Sequence, residues 1–177
     1  MTELKGETTV LKTLEREDCK KLWREHEVDQ ELPTQQIEPG RSIEQAEDWF
    51  EDIQKKQGDE QYYLGIFTKD DRLVGDIQLS NIDWRNRTAQ LGIGISKKED
   101  RNKGYGSDAC LTILKFAFDH LDLYRIAAKT YEYNKAAIKL LKKNNFTLEG
   151  REREAVSISG ERYDRFVYGL LRDEFRD

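Results

Sequence analysis

The 177-residue chain holds two cysteines, two prolines, two histidines and one methionine. It also has no long apolar run. Two cysteines, Cys19 and Cys110, are too few for a disulfide framework and fit a reducing compartment, with one bridge the most they could form. No stretch approaches the ~18 consecutive apolar residues of a membrane span. Met1-Thr2-Glu3-Leu4-Lys5 lacks the apolar core of a secretory signal. These absences set the expectation of a cytoplasmic protein that does not act at a membrane. His26 and His120 stand alone as surface or helix-end residues, and no His/Cys cluster has metal-ligand spacing, so no metal is expected. Both prolines, Pro33 and Pro39, fall with Gly40 in one stretch that reads as loop.

Charge is what the chain has in plenty: 37% of residues are charged, the same share as the hydrophobic ones, and the net charge is −5. The imbalance is local. Residues 1–60 carry 9 basic and 17 acidic side chains, whereas the remainder carries 21 and 18. An acidic front third does not suggest a nucleic-acid partner. It would attract a cationic amine, although solvated acidic helix faces account for it equally well. At this length one domain is the natural count, covering 1–177.

Hydrophobic periodicity orders the elements. Residues 7–14 read as a β-branched strand and 15–26 as a helix with Leu22 and Trp23 on its apolar side. Ser42 with Gln45 forms a capping box, and Ala46, Trp49, Phe50 and Ile53 follow at helical spacing. Residues 61–68, 73–79 and 88–96 alternate as strands of an antiparallel meander. Residues 104–121 form the clearest helix, with Cys110, Leu114, Ala117 and Leu121 on one stripe, which makes Cys110 a packing residue. A strand at 124–131 then implies a parallel pair with 88–96, joined by a right-handed crossover. A short helix spans 134–143. Residues 146–157 and 161–170, split by Ser159-Gly160, close the chain as a hairpin.

The run Arg101-Asn102-Lys103-Gly104-Tyr105-Gly106 sits where the apolar strand meets the long helix. Its glycines remove the Cβ atoms that hinder a φ > 0 turn or a close ligand. The helix behind it offers unpaired N–H groups and the positive end of its dipole, an anion site of the kind that takes pyrophosphate. A plain strand-to-helix turn would use the same residues. The run matches neither Gly-x-x-x-x-Gly-Lys-[Ser/Thr] nor Gly-x-Gly-x-x-Gly.

The neighbours of this loop carry a resemblance. Gln90-Leu91-Gly92-Ile93-Gly94-Ile95, then Arg101-x-x-Gly104-x-Gly106, then Asn134-Lys135-Ala136-Ala137-Ile138 with Lys143-Asn144-Asn145-Phe146, resemble in order the motifs of the GNAT N-acetyltransferase superfamily. The ending Leu148-Glu149-Gly150 … Ser159-Gly160-Glu161-Arg162-Tyr163-Asp164 … Tyr168-Gly169-Leu170-Leu171 is similar to its ribosomal-protein N-terminal acetyltransferase branch. The resemblance implies a mixed α/β (α+β) fold: a mostly antiparallel central sheet of about seven strands, about four flanking helices, and a splayed parallel pair.

It also implies acetyl-CoA as cofactor. The pantetheine arm would lie along Ile93, Gly94 and Ile95 as an added strand. Amides of Arg101, Asn102, Lys103, Gly104, Tyr105, Gly106 and Ser107 would hold the pyrophosphate, with Asn134 and Ala137 at the mouth of the splay. Lys103 could pair with a phosphate, Lys139 and Lys143 could reach adenosine phosphates, and Lys97 and Lys98 would face solvent. The reaction implied is direct attack of a primary amine, on a protein N-terminus or a small molecule, in a ternary complex. A polyamine or an aminoglycoside is an alternative acceptor. Asp83 and Trp84, with residues 28–50, would meet the acceptor.

Four positions depart from the family pattern. Leu141 stands where many relatives carry a tyrosine acid, Gln90 where many carry a glutamate, Ala137 where some carry a serine, and Asn145 where the family usually has glycine. Tyr133 becomes the first candidate acid beside Asn134, with Tyr131 and Glu132 behind it, and Asp83 could act as a base through water. The empty positions keep open a second class, a non-catalytic acyl-CoA-binding module. Exposed strand edges near the closing hairpin make a homodimer an expectation.

Overall fold

The computed structural model describes residues 3–26 and 42–176. The loop read at Pro33, Pro39 and Gly40 lies outside them, as does the acidic part of 28–50 up to residue 41. Among the described residues eight strands form one sheet: β1 (Glu3–Lys5), β2 (Thr9–Thr13), β3 (Tyr62–Thr68), β4 (Leu73–Asp83), β5 (Thr88–Ile95), β6 (Arg125–Tyr131), β7 (Thr147–Ile158) and β8 (Glu161–Leu171). Their order across the sheet is β1-β2-β3-β4-β5-β6-β8-β7. All neighbours are antiparallel except β5 and β6.

The expected mostly antiparallel sheet of about seven strands is present, with eight among the described residues. Residues 7–14 read as one strand opening the chain, but a turn at Gly6, closed by its N–H to the Thr9 carbonyl at 2.9 Å, folds Glu3–Lys5 back onto Val10–Lys12. A three-residue strand is too short to show period-2 alternation, so the sequence pattern did not reveal it.

Among the described residues four α-helices flank the sheet: α1 (Arg16–Glu25), α2 (Ile43–Lys56), α3 (Tyr105–Lys115) and α4 (Lys135–Lys143). The Ser42–Gln45 capping box is present at α2 in both directions. Strand alternation assigns the two faces of the sheet. One face buries Leu11, Leu64, Ile66, Ile77, Leu79, Leu91, Ile126, Ala128, Tyr168 and Leu170 against Cys110, Ile113, Leu114 and Ala117 of α3 and Leu141 of α4. The other holds a smaller core in which Leu14, Phe67, Leu73 and Tyr63 meet Cys19 and Leu22 of α1 and Trp49 and Ile53 of α2. Cys19 and Cys110 are both buried free thiols, pushed up to about 12 by burial.

α4 ends in a Schellman motif: Phe146 N–H bonds the Leu141 carbonyl at 3.0 Å, and Asn145 N–H bonds that of Lys142 at 3.1 Å. Asn145 takes φ +63° there. The related motif usually has glycine at this position. Asparagine is among the few side chains that tolerate the left-handed region, so the substitution leaves the turn intact.

The closing hairpin turns at Ser159 (φ +50°) and Gly160 (φ +87°), the paired positive dihedrals of a tight two-residue turn.

Candidate functional site

The site is a slot in the sheet. β5 and β6 pair in parallel from Thr88–Arg125 to Leu91–Ala128 and then part. β5 stays bonded to β4 as far as Ile95–Gly75, and β6 stays bonded to β8 as far as Tyr131–Arg165. Each strand is therefore held from outside while the seam between them opens, which leaves a row of β5 backbone groups at Gly92–Ile95 facing the gap. A pocket of about 420 Å³ fills it.

Its lining comes from both faces. Leu91, Ile93, Ala128 and Thr130 belong to the α3 face, joined by Asn134, Ala137, Leu140 and Leu141 around α4. Tyr63, Asp76, Gln78, Gln90, Lys129, Tyr131 and Arg165 belong to the α1/α2 face by strand parity. The slot thus connects the two sides of the sheet.

One wall leads to the start of α3. Gly104 is the N-cap of that helix, with φ +89° and no side-chain cap. The first intrahelical bond runs from Asp108 N–H to the Gly104 carbonyl at 3.0 Å, so the amides of Tyr105, Gly106 and Ser107 precede the helical ladder. A Cβ on Gly106 would lie 3.8 Å from Ile93 Cδ1 and 3.9 Å from Ile95 Cγ1, which puts the helix start directly on the β5 wall. Asn102 also takes a positive φ, +61°.

Two carboxylates, one buried and one half-buried, fix this end. Asp100, 2% exposed, accepts from Arg72 Nη1 at 2.8 Å and lies 3.6 Å from Lys103 Nζ. The Arg72 hydrogen bond holds Asp100 below the usual carboxylate value. Asp108 reaches out of α3 into the β1–β2 loop, where it accepts from the amides of Glu7 (2.9 Å), Thr8 (3.1 Å) and Thr9 (2.8 Å) and from Thr9 Oγ1 (2.6 Å). Burial pushes the Asp108 carboxyl up, but these four donors outweigh it and the net shift is downward.

The residues singled out from sequence fall into groups. Ile93, Asn134 and Ala137 line the slot, and Gly94 and Ile95 continue along its β5 edge. Asn134 caps α4, its Oδ1 accepting from Ala137 N–H at 3.1 Å. Arg101, Asn102, Lys103, Gly104, Tyr105, Gly106 and Ser107 form the loop and first turn of α3. Lys97 pairs with Glu25 at 3.1 Å, so this lysine is tied to α1 and does not simply face solvent.

Tyr133 is not among the lining residues. Its ring stacks on Tyr131 (5.3 Å) and meets Tyr163 edge-on (5.1 Å). Burial, and then the two neighbouring tyrosines, push its hydroxyl up to about 12. Asp83 holds the β4–β5 turn, accepting from Asn86 N–H at 2.8 Å and Asn86 Nδ2 at 2.7 Å. Trp84 donates from Nε1 to the Asp59 carbonyl at 2.8 Å and is 42% exposed. Neither lines the slot. Leu141 and Gln90 do, and neither carries a group that titrates.

Sequence reasoning passed over Asp76. It sits in mid-β4, half-buried, and accepts from Tyr63 Oη at 2.7 Å. Burial pushes its carboxyl up to about 6, with the Tyr63 hydrogen bond pulling the other way. Aspartate is depleted in strand interiors. An aspartate within the otherwise apolar run Leu73–Ile77 was the available signal.

A family model for the acetyltransferase (GNAT) domain matches residues 9–147. The chain is 28% identical over 180 residues to the uncharacterized N-acetyltransferase p20 of Bacillus licheniformis, covering 99% of each. It is 33% identical over 123 residues to the probable N-acetyltransferase YjcK of Bacillus subtilis (strain 168), covering 68% of this chain and 67% of that one. Among solved structures, a probable acetyltransferase superposes with TM-score 0.86 at 27% identity over 99% of both chains. The spermidine N-acetyltransferase of Vibrio cholerae, solved with CoA and spermine, superposes with TM-score 0.84 at 22% identity over 94% of this chain and 97% of that one.

Proposed function

The chain belongs to the GNAT acetyltransferase family, and on that premise we propose that it moves the acetyl group of acetyl-CoA directly to a primary amine, with both substrates bound in one ternary complex. The observation that carries this reading is the contact between the uncapped start of α3 and the β5 wall of a slot that runs through the sheet. In this reading the whole chain works as one acetyltransferase domain.

The residues present fit the acetyl donor. Amides of Tyr105, Gly106 and Ser107 and the loop before them suit a pyrophosphate, because no side chain caps the helix start. The open backbone edge at Gly92–Ile95 suits a pantetheine arm laid down as a strand. Acetyl-CoA supplies an activated acyl thioester. The chain supplies position, and holding two reactants in register is worth effective molarities of up to ~10⁵–10⁸ M in ideal cases. Asn134, held at the mouth by its capping bond, orients the end of the arm.

The acceptor enters from the α1/α2 face in this reading. A protein N-terminus or a small amine both suit it. The Vibrio cholerae neighbour is named for spermidine, which makes polyamines the first small amines to try. The test combines calorimetric titration with CoA and thiol release from acetyl-CoA across N-terminal peptides, polyamines and aminoglycosides. Binding with turnover of one class is the expected result. Absence of CoA binding would overturn the proposal, and binding without turnover of any amine would favour an acyl-CoA-binding module.

A further inference from the structure

Among the described residues lining the slot, Asp76 is the one carboxylate. It lies on the same face as Gln78, Gln90 and Gly92, through the register Asp76–Gly94, Gln78–Gly92 and Ser80–Gln90. One strand repeat of two residues, about 6.7 Å, separates it from the Gln78–Gly92 row at the point where β5 and β6 part. Tyr63, which also lines the slot, donates to it at 2.7 Å. No lysine, arginine or histidine forms an ion pair with it among the described residues. Carboxylates held in protein usually carry a cationic or multi-donor partner, as Asp100 and Asp108 do here. Asp76 has a single neutral donor and an open pocket in front of it.

We propose that Asp76 is the proton acceptor of the reaction: it holds the acceptor's ammonium group at the slot and takes the proton that frees the nitrogen lone pair. This rests on the acetyl-transfer reading above. The ammonium gives one proton to the Asp76 carboxylate, directly or across one water. The lone pair forms the C–N bond to the thioester carbonyl carbon, the C–S bond breaks, and its electron pair leaves on sulfur. The second nitrogen proton passes through water to that sulfur, giving the free thiol. Asp76 then returns its proton to solvent. The position usual for a family base holds Gln90, which cannot accept a proton, so the task moves to the adjacent strand.

The surroundings suit this role. Tyr63 from β3 is itself pushed up by burial and stays neutral. Its ring is braced edge-on by Trp49 of α2 at 5.5 Å, and Trp49 by Trp23 of α1 at 5.7 Å. From α1, Cys19 faces the same pair as a neutral thiol, flanked by Asp18 and Arg16. Gln78 stands next on β4 and Gly94 opposite on β5. Across the slot Lys129 and Arg165 are both engaged by Glu152. Asp76 therefore meets an incoming ammonium with its charge uncompensated. Its carboxyl, at about 6, is ionised at neutral pH yet basic enough to take a proton.

The experiment is a pH profile of kcat and kcat/KM with acetyl-CoA and three probe amines: spermidine, an alanine-initiated peptide and kanamycin. It is paired with ¹³C-carboxyl NMR titration of the enzyme without ligands. The rate should fall as pH drops through about 6. Asp76→Asn should lose about 10²–10⁴ in kcat and the acid limb with it, with CoA affinity unchanged. Tyr63→Phe should stay active and move both the limb and the NMR titration to higher pH, because it removes the bond that lowers Asp76. A purely structural role for Asp76 would not move the limb. Asp76→Asn retaining the rate and the limb within a few-fold would overturn the proposal, as would an Asp76 carboxyl titrating at its ordinary value. Wild type that fails to bind CoA, or turns over none of the probes, overturns the acetyl-transfer reading and this proposal with it.

Discussion

The two ends of the slot are built from different materials. At the α3 end the proposed working groups are backbone amides, and side chains such as Asp100 and Asp108 hold the backbone in place. At the α1/α2 face the proposed working group is one side chain, Asp76, held by the Tyr63 hydroxyl, by strand register and by a file of aromatic rings. A backbone site tolerates any side chain that leaves the turn intact. A side-chain site fails with a single atom exchange.

The predictions test that difference, and the largest effect is expected at the side-chain end. Asp76→Asn should cost at least about a hundredfold in kcat while leaving CoA binding alone. A comparable loss of CoA affinity would break the comparison. At the backbone end, Asp108→Asn should lower the folding stability by about 2–3 kcal/mol at neutral pH, read by denaturant unfolding. The sign follows from the lowered Asp108 value. Its stabilisation is present above the ordinary carboxylate pKa and is lost as pH falls through the folded one, so variant and wild type should converge in acid.

Gly104→Val should weaken CoA by about tenfold, since a β-branched side chain at φ +89° carries backbone strain of order 1–3 kcal/mol. Gly104→Asn should lose less. A smaller effect of opposite direction to Asp108 belongs to Asp76. Its folded value is raised, so folding is favoured when it is protonated and weakens as pH rises from the ordinary carboxylate value through about 6. Asp76→Asn should therefore raise Tm by a few degrees at pH 7–8, where the wild-type carboxylate is ionised. Smallest of all, Tyr133→Phe should change kcat less than threefold and leave the pH profile unmoved, because its ring packs between Tyr131 and Tyr163 rather than lining the slot.

The same contrast explains what could be read from the chain. The α3 end is contiguous in sequence: Arg101 to Ser107 is one turn of chain, glycine marks the positive φ, and the helix behind it is strongly periodic. The Ser42–Gln45 cap and the Ser159-Gly160 turn were legible for the same reason, each being a local rule satisfied within four residues. The side-chain face is assembled across β3, β4, β6 and β8, and only strand parity places Tyr63, Asp76, Lys129 and Arg165 on one side. No local pattern encodes that. Asp108 was hidden in a further way, because its partners lie a hundred positions earlier in the chain.

That last contact has a bearing on how the protein can be handled. The carboxylate of Asp108 clips the turn between the first two strands onto the opening of α3, and a Cβ at Gly6 would lie 2.3 Å from one of its oxygens. Residues 6–9 thus act as a keeper plate for a helix they never touch in sequence. An affinity tag or a truncation placed there would not be a neutral edit at a chain end: it would unlatch the helix start, and binding studies on such a variant would measure the handling rather than the molecule.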